Sequence, residues 1–556
     1  MIALADMLGE LQIAGELLQV AVDRYLNICR TIRESYLETK ILRDVPQELL
    51  DKIENELPQI SSCNTKILQA KAAICQTRNC SSRIVPIHTL PIEVLTRIFH
   101  IVVASQWCNI SGYRKKYNEE EVSGSYPDQP VVISHICSFW RRIVISSSSL
   151  WSHIDFSFPD IANDPQSIPR LETSINRSGK SLLDLHIDAS DFFDLVTTTG
   201  EMEKFVALNG HRTRSLELEV GMHAGTISLN FCRAVLTSCL AHFVPGTLRQ
   251  LSILKRGKYD HYQAIESADN TRTHQSLLLD VPEQSLEDLW ANVDVLRLKG
   301  LYPVWSSKIY HGLVELRLPL IPGGSMTESQ FVTILKASPQ LRILEFGIKI
   351  TARGSTAASK KPISLADLEV LITSTWDRPQ LTHFLKLIAP GPKPLCVSVV
   401  NPDVGDYSQK DPPSLLFDGE IKKFFARCNV TRIRAVAVDD YVQLAEILDL
   451  VPRVHTLGLT DWFGEGSKEG LRAPVTPMTI STLYLLNGCR MEWVVLKHII
   501  QTFHVEAIII WGDHAIESGK MPIEKEPFER ELRKHCSIVD FRSFDEPNPF
   551  EGHEWY

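Results

Sequence analysis

The run Leu313-Val314-Glu315-Leu316-Arg317-Leu318 decides the fold, because its apolar-x-x-apolar-x-apolar spacing returns at Leu341-Arg342-Ile343-Leu344-Glu345-Phe346. Leu182/Leu185/Ile187, Leu248/Leu251/Ile253, Val293/Leu296/Leu298, Leu365/Leu368/Val370, Val454/Leu457/Leu459, Ile480/Leu483/Leu485 and Val505/Ile508/Ile510 carry the same pattern. First positions 313, 341 and 365 lie 28 and 24 residues apart, and 454, 480 and 505 lie 26 and 25 apart. A strand that recurs at such an interval cannot bury its apolar side alone, so neighbouring units must stack. Helix-compatible runs such as Phe331-Val332-Thr333-Ile334-Leu335 and Tyr441-Val442-Gln443-Leu444 lie between the strands, which gives one strand plus one helix per unit.

The spacing is similar to the strand signature of leucine-rich repeats. That resemblance implies an α/β solenoid with a parallel sheet inside, over about residues 171–545, with a tail at 546–556. The interval from Leu248 to Val293, the lack of a regular Asn after each strand and the loop-like stretch from Thr351 to Pro362 make the expected solenoid irregular. Residues between the buried positions should face the concave side. Arg249, Arg297, Arg317, Arg342, Glu345 and Tyr484 are therefore the candidate substrate-binding residues. Trp462 and Trp511 follow strands, and either anchor a partner or pack at strand ends.

Ahead of the repeats stands Leu90-Pro91-Ile92-Glu93-Val94-Leu95-Thr96-Arg97-Ile98-Phe99, an amphipathic helix with proline at its start. A second helical run, Ile133-Ser134-His135-Ile136-Cys137-Ser138-Phe139-Trp140-Arg141-Arg142-Ile143-Val144, is followed by Leu150-Trp151. In order and residue type these three pieces resemble the F-box, most closely its fungal form. The resemblance implies a three-helix module over 84–155 that docks on a Skp-type adaptor and so joins a cullin-based ubiquitin ligase. Leu90, Pro91, Ile92, Leu95, Ile98 and Phe99 would form its first docking surface, and Ile136 and Trp140 the second. Trp151 is expected to close the module's core. A polar insertion at about 104–131 departs from the compact family pattern and puts the middle helix in question, and a proline-punctuated linker follows at 156–170.

Residues 1–80 read as helical. Leu4, Leu8, Leu11, Gly15, Leu18, Val22, Tyr25, Cys29 and Ile32 recur at alternating steps of four and three, which predicts a long amphipathic helix, packed on the chain's own later helices rather than forming a coiled-coil seam, for which Gly15 and Cys29 are weak residues. A second helix is expected to start near Pro46 and stop before Pro58, with a third from about Ser62 to Thr77.

At 556 residues the chain exceeds the roughly 100–200 residues of one domain. Its 44% apolar and 22% charged content is that of a folded globular protein, so the expected class is α+β, multi-domain. A net charge of −9 without basic blocks speaks against nucleic-acid binding. No apolar run approaches the roughly 18 residues of a membrane span, and no secretory pattern opens the chain, so the expected location is cytoplasmic or nuclear. Asn79-Cys80-Ser81 and Asn429-Val430-Thr431 are then chance matches to the glycosylation pattern. The twelve cysteines form no matching pairs of zinc-ligand spacing, so neither a metal nor a cofactor is expected. Gly464-Glu465-Gly466-Ser467-Lys468 lacks the spacing of a phosphate-binding loop, and no metalloprotease or nucleophile-elbow motif is present. The expectation is a non-enzymatic adaptor that binds an unknown protein substrate. A scaffolding repeat protein with a degenerate F-box is the alternative, and a hydrolase would need a Ser or Cys within hydrogen-bond reach of a His in a pocket.

Overall fold

The structure, a computed structural model, describes residues 2–38, 47–79, 85–105, 129–158, 161, 164, 166–189, 199–221, 226–255, 262–269, 276–351, 361–374, 378–400, 419–436, 441–462, 479–486, 489–512, 515–518, 521–522, 525–543 and 550. The chain divides into two compact units, Met1–Pro91 and Ile92–Tyr556.

The first unit contains α1 (Ile2–Glu38) and α2 (Gln47–Asn79), then a 3-10 turn at Pro86–Thr89. The expected break at Pro58 does not occur: α2 runs through it as one helix, where two were expected. Proline deletes one backbone bond and strains one turn, and 33 residues of helix tolerate that loss. The hydroxyl of Ser61 donates to the Leu57 carbonyl at 2.9 Å just past the interruption. The apolar stripe of α1 is not buried either. Leu8, Leu11, Leu18, Val22, Tyr25 and Ile32 are all exposed, so the packing expected for them is not formed.

The second unit opens with a small helical group: α3 (Ile92–Ser105), α4 (Gln129–Ser134), α5 (Ser138–Ser146) and a 3-10 turn at Ser148–Trp151. The middle helix that the insertion put in question is thus present, whereas most of the insertion, 106–128, lies outside the described residues. Cys137 starts α5 by accepting the Trp140 backbone N–H on its sulfur at 3.4 Å, satisfying one of the donors that every helix start leaves open. Trp151 is buried, with its indole N–H on the Val144 carbonyl at 2.9 Å and the Arg177 guanidinium 4.3 Å from its ring centre.

The rest is dominated by one sheet of fourteen strands among the described residues, every neighbouring pair parallel and in chain order. They are β1 (His153–Ser157), β2 (Leu183–Ala189), β3 (Thr213–Val220), β4 (Gln250–Lys255), β5 (Val295–Lys299), β6 (Glu315–Leu318) and β7 (Ile343–Phe346). Then follow β8 (Val370–Ser374), β9 (Leu395–Val400), β10 (Val430–Val436), β11 (Thr456–Thr460), β12 (Thr482–Leu485), β13 (Ala507–Trp511) and β14 (Ile538–Arg542). Most successive strands are joined through a helix, for example Ser167–Ser178 between β1 and β2 and Trp493–Thr502 between β12 and β13. Parallel strands need such crossovers.

β1 corrects the domain boundaries read from sequence: residues 153–157, assigned there to the end of the helical module and the start of a linker, are the first strand of the sheet. Within that linker the helix Ser167–Ser178 also begins. The pattern Leu365/Leu368/Val370 is off by three. Leu365 ends a separate short strand, and the buried frame of β8 is Leu368, Leu371 and Thr373. One face of the sheet is apolar and packed, with Leu185, Leu216, Leu251, Leu296, Leu316, Leu344, Leu371, Val397, Ile433, Leu457, Leu483 and Ile508 in one continuous core.

Candidate functional site

Because side chains alternate across a strand, the residues between those leucines share the other face. Strand pairing carries one register row across it: Asp155, His186, Glu217, Ser252, Arg297, Arg317, Glu345, Ile372, Ser398, Arg434, Gly458, Tyr484, Ile509 and Asp540. Four of the six candidates named from sequence, Arg297, Arg317, Glu345 and Tyr484, stand in this single row. Arg249 and Arg342 do not. Each lies one residue before its strand, where Arg249 is exposed and Arg342 pairs with Glu369 at 2.7 Å.

The row changes chemistry along its length. At β5 to β7 it is charged and self-paired: Arg297 Nε donates to Glu315 at 2.7 Å, Arg317 bonds the same carboxylate, and Arg317 and Glu345 approach to 3.7 Å. Burial alone would raise the Glu315 carboxyl, but Arg317 and Arg297 outweigh it and hold it below its ordinary value. These arginines are already engaged, which weakens the sequence reading of them as open substrate contacts.

From β8 to β13 the row mixes apolar and polar residues, and this part of the face holds Phe550, a residue that sequence had left in the tail. Phe550 is buried in a cluster with Val370, Cys396 and Leu486, against Ile372, Tyr484 and Trp511. Its ring meets Tyr484 edge-on at 5.4 Å, and the Arg432 guanidinium stands 5.3 Å from its centre. Trp511 therefore packs within the chain, and Trp462 is buried in the main core.

The β1 to β3 end is polar and concentrates titratable groups. His153 and Asp155 stand two apart on β1, and His186 lies opposite Asp155 on β2. His153 Nε2 is 2.9 Å from Asp155 Oδ1, and His186 Nδ1 is 3.5 Å from the same oxygen. His186 is buried, while His153 and Asp155 keep 45% and 36% of their side chains exposed, so the cluster is open on one side. Desolvation disfavours charge on the imidazoles, yet Asp155 more than offsets it. His153 is raised to about 9 and His186 is raised as well, while the two imidazoles hold Asp155 well below the usual carboxylate range against its own desolvation. A cleft of about 330 Å³ opens here, lined by His153, Asp184, His186, Arg214, Glu217 and Arg249 among others. Arg214 is committed to Asp184 by two bonds of 2.7 Å.

The three-helix group sorts its candidates differently from the sequence reading. Leu95 and Phe99 are buried, and Phe99 packs on the half-buried Trp140 with ring centres 4.8 Å apart. These residues hold the helices together, and Trp140 keeps part of its side chain exposed. Ile98 is half-buried, whereas Ile92 and Ile136 are 51% and 58% exposed, together with Val94 and Ile101. In the first unit, Leu90 is half-buried and Pro91 exposed. A serine does reach a histidine here: Ser149 Oγ and His100 Nε2 are 2.9 Å apart. The pair is on an exposed surface, and among the described residues no carboxylate orients His100, so it lacks the third group that activates a nucleophile. No helix among the described residues is long and apolar enough to cross a membrane. No protein-family model matches the sequence, and no curated protein matches it.

Proposed function

We propose that the chain is a substrate-recognition adaptor of a Skp/cullin/F-box ubiquitin ligase, working in the cytoplasm or nucleus without catalysis of its own. The helical group of α3 to α5 is read as the F-box, and the strand-and-helix array as an irregular leucine-rich-repeat-like solenoid whose polar face takes a protein substrate. One observation carries the reading. The helical group closes its own core with Leu95, Phe99, Ile143 and Trp151, yet leaves Ile92, Val94, Ile101 and Ile136 in solvent. Exposed apolar residues on so small a unit favour an interaction surface, and Ile92, Val94 and Ile136 fall within the segments that resemble the adaptor-binding helices. The parallel strands in chain order support the second half, since stacked repeats build such sheets.

The test is capture of a purified Skp-type adaptor by the full-length chain and by its Ile92→Asp, Ile136→Asp double variant. Both substitutions are at exposed positions, so the variant should keep its circular dichroism and lose capture. If the unaltered chain captures no adaptor, the F-box reading falls and a repeat scaffold with drifted helices takes its place.

A further inference from the structure

We propose that His153, Asp155 and His186 form a binding site for one zinc ion on the polar end of the sheet, with a fourth coordination position left to solvent or to a donor from a bound partner. Three side chains from two adjacent strands supply two imidazole nitrogens and one carboxylate oxygen, and those atoms all lie within 4.8 Å of one another. Zinc bonds to such donors at about 2.0–2.2 Å in a tetrahedron, which sets neighbouring ligand atoms about 3.3 Å apart. Two edges already approach that length, at 2.9 Å for His153 to Asp155 and 3.5 Å for His186 to Asp155. The ion would replace the hydrogen bonds that now link the three groups, with little movement of the strands.

The surroundings favour a cation. His186 also lies within the same reach of Glu217 and Glu219 on β3, so further carboxylate oxygens stand beside this ligand. Arg214, in the lining of the cleft, is neutralised by Asp184. The donor set excludes calcium and magnesium as the preferred ions, because both favour all-oxygen shells. Strand register fixes the backbone of every ligand, since His153 and Asp155 pair with Asp184 and His186. A site built on rigid strands is more precise than one on loops. Its place at the open cleft suits an ion that completes its shell with a ligand from outside the chain.

Zinc titration of the metal-free full-length chain by calorimetry, with cobalt as a spectroscopic substitute, tests the proposal. The expected result is one ion bound at micromolar affinity or tighter, with the visible bands of four-coordinate cobalt. His153→Ala should lose that ion or weaken it at least tenfold, and Asp155→Asn should do the same. Both residues are partly exposed, so the variants should fold, which circular dichroism checks; His153→Gln serves if His153→Ala does not. Magnesium and calcium in excess should leave zinc binding unchanged. Absence of a zinc-binding event, or stoichiometry and affinity that are the same in both variants as in the parent, overturns the proposal and leaves the three residues a hydrogen-bonded structural cluster. Adaptor capture does not enter the measurement, so either reading can fail without the other.

Discussion

The ring of Phe550 fills the space that a side chain at Gly458 would need: a Cβ there would stand 2.8 Å from ring atoms Cδ2 and Cε2. Every neighbouring strand of the row presents a side chain at this level, and the one gap is where the tail residue sits. Gly458→Val should therefore expel Phe550. Phe550→Ala is expected to cost up to about 3 kcal/mol, below the usual loss for a buried phenylalanine because the tail can detach without opening the sheet. In a double-mutant cycle followed by urea unfolding, the pair should cost little more than either change alone. Additive losses would mean that the ring does not depend on the glycine.

Phe99 and Ile136 belong to one small helical group but should behave in opposite ways. Phe99→Ala removes a ring packed 4.8 Å from Trp140 and should destabilise by about 3–5 kcal/mol. Ile136→Asp, at a position 58% exposed, should change stability by about 0.5 kcal/mol or less while abolishing adaptor capture. Thermal unfolding and a pull-down on the same preparations separate the two effects. Equal destabilisation by both would place Ile136 in the fold instead of at an interface.

The sheet was legible where the apolar ladder is regular, from β4 to β7 and again from β11 to β13. It was illegible where other residues stand in for leucine. In β3 the first buried position is Thr213, in β10 the last is Ala435, and the buried position two residues ahead of β14 is Cys536. In β9 the register shifts between Leu395 and Cys396, which breaks the spacing itself. Leu365 mimics the pattern because it lies three residues before Leu368, the first buried position leading into β8. Periodicity also locates a face but not what engages it, so Arg297 and Arg317 read as open cations although Glu315 holds both. The cluster of His153, Asp155 and His186 escaped because metal motifs are searched within one helix or loop, while these ligands meet only through strand pairing. A His-x-Asp on one strand with a His on the next was its available signal.

Arg212 ties the start of the sheet together. Its guanidinium donates to Ser178 Oγ at 3.0 Å, to the carbonyls of Gly179 and Ser181 at 2.8 and 3.0 Å, and to Asn209 Oδ1 at 3.0 Å. Arg212→Ala would strip several buried or part-buried acceptors of their donor at once, and each orphaned group costs about 1–3 kcal/mol. The expected loss is at least about 3 kcal/mol. Arg212→Lys should recover only part of it, because an ammonium cannot match the planar fork. A thermal midpoint unchanged in either variant would show that the acceptors find other partners.

Glu315 should make part of the stability depend on acid. Its carboxyl is held below the ordinary value of 4.5 by Arg317 and Arg297, so the folded state binds its proton less readily than the unfolded state does. The contribution is complete above the unfolded value and fades as pH falls toward and through the folded one. Glu315→Gln leaves two arginines facing a neutral amide and should cost about 3 kcal/mol near pH 7. Urea unfolding of parent and variant between pH 7 and pH 3 reads the difference directly, which should narrow as the parent's carboxylate takes up its proton. A difference that stays constant over that range would show that packing around the side chain, and not its charge, is what the two arginines use.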